Sequence, residues 1–234
     1  MKILAVDTST RSCSVALTDG DRLAAEMTTT RKETHSRHLM GMIDTVLRTT
    51  GLTASDVDGF AVTRGPGSFT GLRIGISTVK GLALASGKPL VGISGLEALA
   101  RQFPFSTHLI CPILDARKGE VYTARYQVQG DGIREVMGER AMPPIEAVSG
   151  IDRPCIFLGD GALLYRDLIS ENTEAPALFA PPGFHTLRAS IVAFATRPIL
   201  ERGDADSPAA LTPRYLRKSD AELHLGGKPS ISGG

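Results

Sequence analysis

Lys2-Ile-Leu-Ala-Val-Asp7, Thr8-Ser9-Thr10, Cys13-Ser-Val-Ala-Leu17 and Asp19-Gly20 follow one another at the start of the chain, and their order decides the fold. The first run is apolar and ends in an acid, the polar triplet reads as a turn, and the second run alternates as a strand does. Asp19-Gly20 is a hairpin signal leading to a third strand from Arg22 to Met27. These pieces predict an antiparallel meander. The same order returns later. Leu109-Ile-Cys-Pro-Ile-Leu114 runs into Asp115, a turn spans Ala116 to Gly119, and Glu120-Val-Tyr-Thr-Ala124 makes a strand. Asp131-Gly132 then precedes a strand near Ile133 to Met137, so Asp7 answers Asp115 and Asp19-Gly20 answers Asp131-Gly132. Two similar halves are expected, each a mixed sheet opened by a meander and packed with helices. The acids at the strand ends would face the cleft between the halves.

The residues between the two meanders supply the helices. From about His35 to Thr50, Leu39, Met40, Ile43, Val46 and Leu47 recur at three- and four-residue steps, Met42 widens the apolar surface, and Gly51 stops the helix. Phe60 to Thr63 is a strand, and Arg64-Gly-Pro-Gly-Ser-Phe-Thr-Gly71 is a loop feeding a helix from Leu72 to Ser86, with Thr70 placed to cap it. Leu90 to Ile93 follows as a strand, and Ser94-Gly-Leu-Glu97 spells a capping box before a helix over Ala98 to Gln102. Beyond the second meander come a strand at Cys155 to Leu158, the loop Gly159-Asp-Gly161, a helix over Ala162 to Ser170, and a helix from about Leu187 to Glu201 disturbed near Pro198. The halves should divide near Phe103-Pro104-Phe105, giving domains over 1–104 and 105–217, with the last helix packing back on the first domain. The polar segment 218–234 is expected to be a flexible tail.

Composition narrows the class. With 234 residues, the chain should bury roughly 70% of its unfolded surface without disulfides or metal. A net charge of +1 argues against gripping nucleic acid mainly through its own field, although 19 arginines against seven lysines leave room for a local patch. Cys13, Cys111 and Cys155 are odd in number and too far apart for a disulfide framework or a metal-binding pair, and read as small core side chains. No apolar run approaches a membrane span and no signal peptide opens the chain, so a cytoplasmic protein is expected.

The chemistry-bearing residues leave several readings open. Asp7 and Asp115 suit a hydrated cation beside a nucleotide phosphate. However, neither following turn has the glycine two residues after the acid that a phosphate hairpin wants, and only Thr8, Ser9 and Thr10 offer substitute hydroxyls. The alternative is that both acids end strands and bond turn amides. The loop Gly65-Pro-Gly67 with Gly71 lacks a P-loop ending. Gly71, Gly75, Thr78, Gly81 (or Leu82) and Ala85 instead leave one helix face almost bare. Glycine inside a helix costs up to about 1 kcal/mol against alanine, so a close partner backbone is implied, either the chain's own or another chain's. The broad Leu/Met surface of the preceding helix favours another chain. His35-x-x-His38 has no third ligand nearby, and Ser68 has no visible base partner.

Leu4-Ala-Val-Asp-Thr-Ser-Thr10, His35-Ser36, Arg64 through Gly75, Lys80-Gly-Leu-Ala-Leu84, Ser94-Gly-Leu-Glu-Ala98, Asp115-Ala-Arg-Lys-Gly-Glu-Val-Tyr122 and Pro213-Arg-Tyr-Leu-Arg217 together resemble the TsaB (YeaZ) family over nearly the whole chain. The resemblance implies the glycoprotease-like branch of the actin/hexokinase/Hsp70 (ASKHA) superfamily. It also implies a non-catalytic role in threonylcarbamoylation of adenosine 37 of tRNA, binding and activating the transferase subunit TsaD. Where that catalytic relative carries a His-x-x-x-His metal motif, this chain has Gly95 and Leu99. The implied interface, for TsaD or for a homodimer of the chain alone, comprises Leu39, Met42, Ile43, Val46, Gly71, Gly75, Thr78 and Leu82. Asp7, Thr8, Ser9 and Asp115 would be a vestigial nucleotide site. ATP, metal and the ATPase TsaE would belong with the partner subunits, and tRNA would be met through the complex. The competing expectations are an autonomous ATP-dependent kinase or ATPase built on Asp7 and Asp115, and a metallopeptidase.

Overall fold

The opening apolar run becomes β1 (Lys2–Asp7), buried at every position after Lys2. It lies at the centre of a five-stranded sheet, and a strand covered on both faces has no solvent side to make polar. Its neighbours are β2 (Ser12–Asp19), β3 (Arg22–Thr30), β4 (Gly59–Gly65) and β5 (Leu90–Ser94), in the order β3-β2-β1-β4-β5. β1, β2 and β3 form the meander, with Leu4 opposite Leu17 and Val6 opposite Val15, while β4 and β5 continue the sheet in parallel. The computed structural model describes residues 1–30, 35–130 and 132–217. The expected tail at 218–234 and Asp131 of the second hairpin signal lie outside the described residues.

The second sheet repeats the first. Its strands are β6 (Leu109–Arg117), β7 (Glu120–Gln129), β8 (Gly132–Met142), β9 (Cys155–Leu158) and β10 (Ala177–Phe179), in the order β10-β9-β6-β7-β8. Strand for strand this is the same topology, which makes the duplicated α/β architecture plain. β10 has no counterpart in the sequence reading, because three residues carry too little pattern.

Helices fill three layers around these sheets. α1 (Leu39–Thr50) and α2 (Phe69–Ser86) cover one face of the first sheet. Leu39, Met42, Ile43, Val46 and Leu47 of α1 all point into that layer, and full burial of each such side chain stabilises by roughly 1.5–3 kcal/mol. The expected helix from His35 is in fact a short 3-10 turn, His35–Arg37, followed by α1. α3 (Gly95–Ala100) and α7 (Ala189–Glu201) lie in a middle layer whose apolar cluster runs from Ile3 and Ala61 to Ile110, Tyr122 and Tyr126 of the second sheet. α4 (Pro144–Val148), α5 (Asp160–Leu164) and α6 (Arg166–Asn172) cover the far face of the second sheet, so the single helix expected over Ala162 to Ser170 is two short ones. α7 is tied to the first sheet where Glu26 of β3 accepts from Ser190 N at 2.9 Å and from Arg188 Nε at 2.9 Å. Pro198 falls in its last turn, where little helix remains to break.

Two caps differ from expectation. Ser68, not Thr70, caps α2, its Oγ accepting from Gly71 N at 3.2 Å. α3 begins directly at Gly95, because Ser94 Oγ takes the amides of both Leu96 and Glu97. Among the described residues no helix is long and apolar enough to cross a membrane.

Candidate functional site

The end of β1 and the start of α2 form one packed unit. Asp7 is completely buried. Its Oδ1 accepts from Ser9 N at 3.1 Å, from Ser9 Oγ at 2.6 Å and from the Thr63 hydroxyl of β4, while Oδ2 has no hydrogen-bond partner. Burial pushes the carboxyl pKa up, against the opposing pull of the Ser9 and Thr63 bonds. The same burial, with the nearby Asp7 charge, drives the Cys13 thiol up to about 12.

Thr8 and Ser9 form a bed for the bare face of α2. A Cβ on Gly71 would overlap the Thr8 carbonyl oxygen, one on Gly75 would overlap Thr8 Oγ1, and one on the preceding Gly67 would overlap the Ser9 carbonyl. Thr8 Oγ1 donates to Gly71 O at 2.7 Å and Ser68 N donates to Ser9 O at 2.7 Å. These glycines therefore permit close approach of the chain's own loop. That overturns the expectation that Gly71 and Gly75 are kept bare for another chain. It also bears on the vestigial nucleotide site, because the polar groups of Thr8 and Ser9 are spent on Asp7, Ser68 and Gly71.

Asp115 is treated differently. It lies in β6 and is only partly buried; its N–H donates to Asp160 Oδ1 at 3.1 Å, and its Oδ1 accepts from Arg117 N at 2.8 Å. Asp160, at the start of α5, is pushed up by burial. Asp7 is thus bonded wholly within the first half and Asp115 within the second, and no hydrogen bond joins the two. Asp160 went unread in the sequence, although Gly159-Asp-Gly161 signalled a tight approach: a Cβ on Gly161 would lie 2.8 Å from the Leu114 carbonyl carbon. Among the described residues no three His, Cys, Asp or Glu side chains come together as a group that could hold a metal. His35 bonds the Thr10 carbonyl through Nε2 at 2.9 Å.

The expected interface residues are also redistributed. Leu39, Met42, Ile43 and Val46 are buried in the layer between α1 and the sheet, so these side chains are core and not contact surface. Thr78 and Leu82 are half-buried. The outward faces of α1 and α2 instead carry Met40, 54% exposed, and Leu84, 69% exposed, beside exposed Ser77, Gly81 and Ala85. Apolar periodicity marks the buried stripe. Met40 belongs to the apolar pattern of α1, but the structure turns it out of the buried stripe, and Leu84 lies off the buried stripe of α2.

The closing segment adds contacts that no local pattern foretold. Arg214 N donates to Arg64 O at 2.6 Å, and the Arg214 guanidinium pairs with Glu139 of β8 at 3.1 Å. Tyr215 stacks on Phe69 with ring centroids 4.4 Å apart and accepts from Arg73 Nε at 2.9 Å. Arg217 donates to Ala116 O at 3.0 Å and pairs with Glu120 at 3.3 Å. The segment therefore bridges the first half and the β6–β7 turn of the second.

Comparison with known proteins agrees with this architecture. The family described as "TsaD: tRNA N6-adenosine threonylcarbamoyltransferase" matches residues 22–224. The chain is 34% identical over 225 residues to the tRNA threonylcarbamoyladenosine biosynthesis protein TsaB of Bacillus subtilis, covering 95% of this chain and 96% of that one. The solved structure of YeaZ from Pseudomonas aeruginosa superimposes with a TM-score of 0.78 at 29% identity, over 92% of this chain and 99% of that one. At 12% identity and a TM-score of 0.51, the activator of the 2-hydroxyisocaproyl-CoA dehydratase from Clostridium difficile shares the fold, over 88% of this chain and 99% of that one. The two matched sheets are the two halves of an actin-like fold.

Proposed function

The chain belongs to the TsaB family of tRNA threonylcarbamoyladenosine biosynthesis proteins, and on that premise we infer that it is a non-catalytic subunit that binds and activates the homologous transferase TsaD. The observation that carries this reading is the seating of α2 on Thr8 and Ser9, since it spends on internal packing the loop where a nucleotide phosphate would have to be held. Gly95 and Leu99 support it further. By the family resemblance they would stand where the catalytic relative carries metal-binding histidines, and both are buried. ATP and metal chemistry then reside in TsaD and the ATPase TsaE, and tRNA is met through the complex.

The docking surface in this reading is the outward side of α1 and α2. Met40 and Leu84 supply apolar contact, while Ser77, Gly81 and Ala85 let a partner helix approach closely. The same face would pair two copies of the chain when TsaD is absent. Reconstitution tests the reading. TsaD and TsaE are assayed for modified adenosine in tRNA with this chain, without it, and with Met40→Glu or Leu84→Glu. Both variants should melt like the wild type and lower complex affinity and modification by about tenfold or more, the loss expected for desolvating a new charge at an interface. Full modification with both variants would remove the docking face, and modification by this chain alone would remove the non-catalytic role.

A further inference from the structure

A second region of interest lies apart from the Asp7 loop and from the outward faces of α1 and α2. There the edge of the first sheet at β5 faces β7 and β8 across a cavity of about 320 Å³. Ligand pockets typically enclose roughly 300–1,000 Å³, so this one suits a molecule of amino-acid or dipeptide size.

Its walls carry opposite charges. Arg64 of β4 lines one side, and its Nε is buried without a hydrogen-bond partner. Among the described residues no ion pair joins Arg64 to a carboxylate. The stem of Arg64 lies over Gly92 of β5, where a Cβ would come 3.3 Å from Arg64 Cδ. Glu135 and Glu139 of β8 stand on the other side. Glu139, 2% exposed, accepts the Ser94 hydroxyl on Oε1 and pairs with Arg214 through Oε2 at 3.1 Å, so it adds a negative wall whose charge is shared with Arg214. Glu135 is exposed, and its carboxylate has no partner among the described residues. Tyr126, Ile133 and Ile199 add apolar wall.

These groups select the ligand by elimination. A guanidinium with free donors is matched by a carboxylate, which it binds through two parallel N–H bonds. A simple anion placed on Arg64 would also face Glu135 and Glu139, and a simple cation would face Arg64 and Arg214. A molecule bearing both signs satisfies both walls. We propose that this cavity binds a small zwitterion, a free α-amino acid or a dipeptide, with its carboxylate on Arg64, its ammonium toward Glu135 and Glu139, and its side chain against Tyr126, Ile133 and Ile199. The site is independent of the docking face and stands or falls separately from it.

Calorimetry and thermal melting of the full chain provide the test, using the L-amino acids and a series of glycyl dipeptides as probes. At least one should bind with a dissociation constant of about 1 mM or tighter. Its amide, which lacks the carboxylate, and its N-acetyl form, which lacks the ammonium, should each bind about tenfold more weakly or not at all. Arg64→Met, which keeps the stem, and Glu135→Gln, at an exposed position, should each weaken binding by about tenfold. If Arg64→Met fails to fold, the blocked ligands and Glu135→Gln still decide. Any of four results would overturn the proposal: no probe binds, blocked and free forms bind alike, inorganic phosphate binds better than every zwitterion, or Glu135→Gln and a folded Arg64→Met leave affinity unchanged.

Discussion

Gly71→Ala tests whether the bare face of α2 is used inside the molecule, and Gly81→Ala is its internal control. Both replacements gain helix propensity, up to about 1 kcal/mol. At Gly81 a Cβ meets nothing within 4 Å, so that gain should appear as stability. At Gly71 the new methyl would overlap the Thr8 carbonyl oxygen and come 3.2 Å from its carbonyl carbon. Backbone cannot swing aside as a side chain can, so the helix start and the loop must separate. Overpacking of this kind costs about 1–3 kcal/mol. Separation also stretches the 2.7 Å bond from Thr8 Oγ1 to Gly71 O, a bond of a type worth about 1 kcal/mol. Gly71→Ala should therefore destabilise by about 1–3 kcal/mol net, and Gly81→Ala should stabilise by up to about 1 kcal/mol. For a chain of this size, each kcal/mol moves the melting temperature by roughly 2–4 °C. Urea unfolding and thermal melting of the two variants beside the wild type measure the split. If Gly71→Ala proved as stable as Gly81→Ala, α2 would not rest on Thr8, and its glycine face would again be available to another chain.

The remaining predictions concern charged anchors. Because burial raises the Asp7 pKa in the folded state, its contribution to stability is complete below the ordinary value of 3.8 and is lost as pH rises through the folded value. Asp7→Asn cannot lose that proton, so its melting temperature relative to wild type should climb from acid to neutral pH; a flat or falling difference would show that the folded state favours the carboxylate. Glu26→Ala removes the acceptor for Ser190 N and Arg188 and should cost about 1–3 kcal/mol in urea unfolding, toward the low end because Arg188 is half-exposed. Arg217→Ala should cost about 1 kcal/mol and raise amide exchange at the β6–β7 turn, where its guanidinium holds Ala116 O and Glu120; unchanged exchange there would mean the closing segment does not brace that turn.

What the sequence disclosed follows the range of the forces involved. β1 was legible because both its faces are covered, and the meanders were legible because hairpin turns and alternation are local. The repeat of strand, acid, turn and hairpin foretold two sheets of one topology. Ser68 and Thr70 are both plausible caps by residue type, and the choice between them depends on Ser68 N reaching Ser9 O, a contact made far along the chain. Periodicity located the apolar stripe of α1 but carried no information on what covers it: Leu39, Met42, Ile43 and Val46 pack against the chain's own sheet. Gly71 and Gly75 likewise declared a close partner without declaring which. Arg64 and Glu139 line one cavity only because the two sheets face each other.

Asp7 gains its meaning from this long-range packing. At the end of β1 the acid is turned to Ser9 and Thr63 and sealed from solvent. The carboxylate fixes Ser9, the adjoining Thr8 carbonyl supports Gly71, and Gly75 rests on the Thr8 side chain. The height of α2 above the sheet is therefore set by the bed beneath it as well as by its own apolar contacts. The docking face proposed on the outward side of α2 would inherit that setting, since any lift of the helix moves Ser77, Gly81 and Leu84 together. On that proposal, residues whose types suit phosphate chemistry would act at a distance, through rigid-body placement, on a surface they never touch.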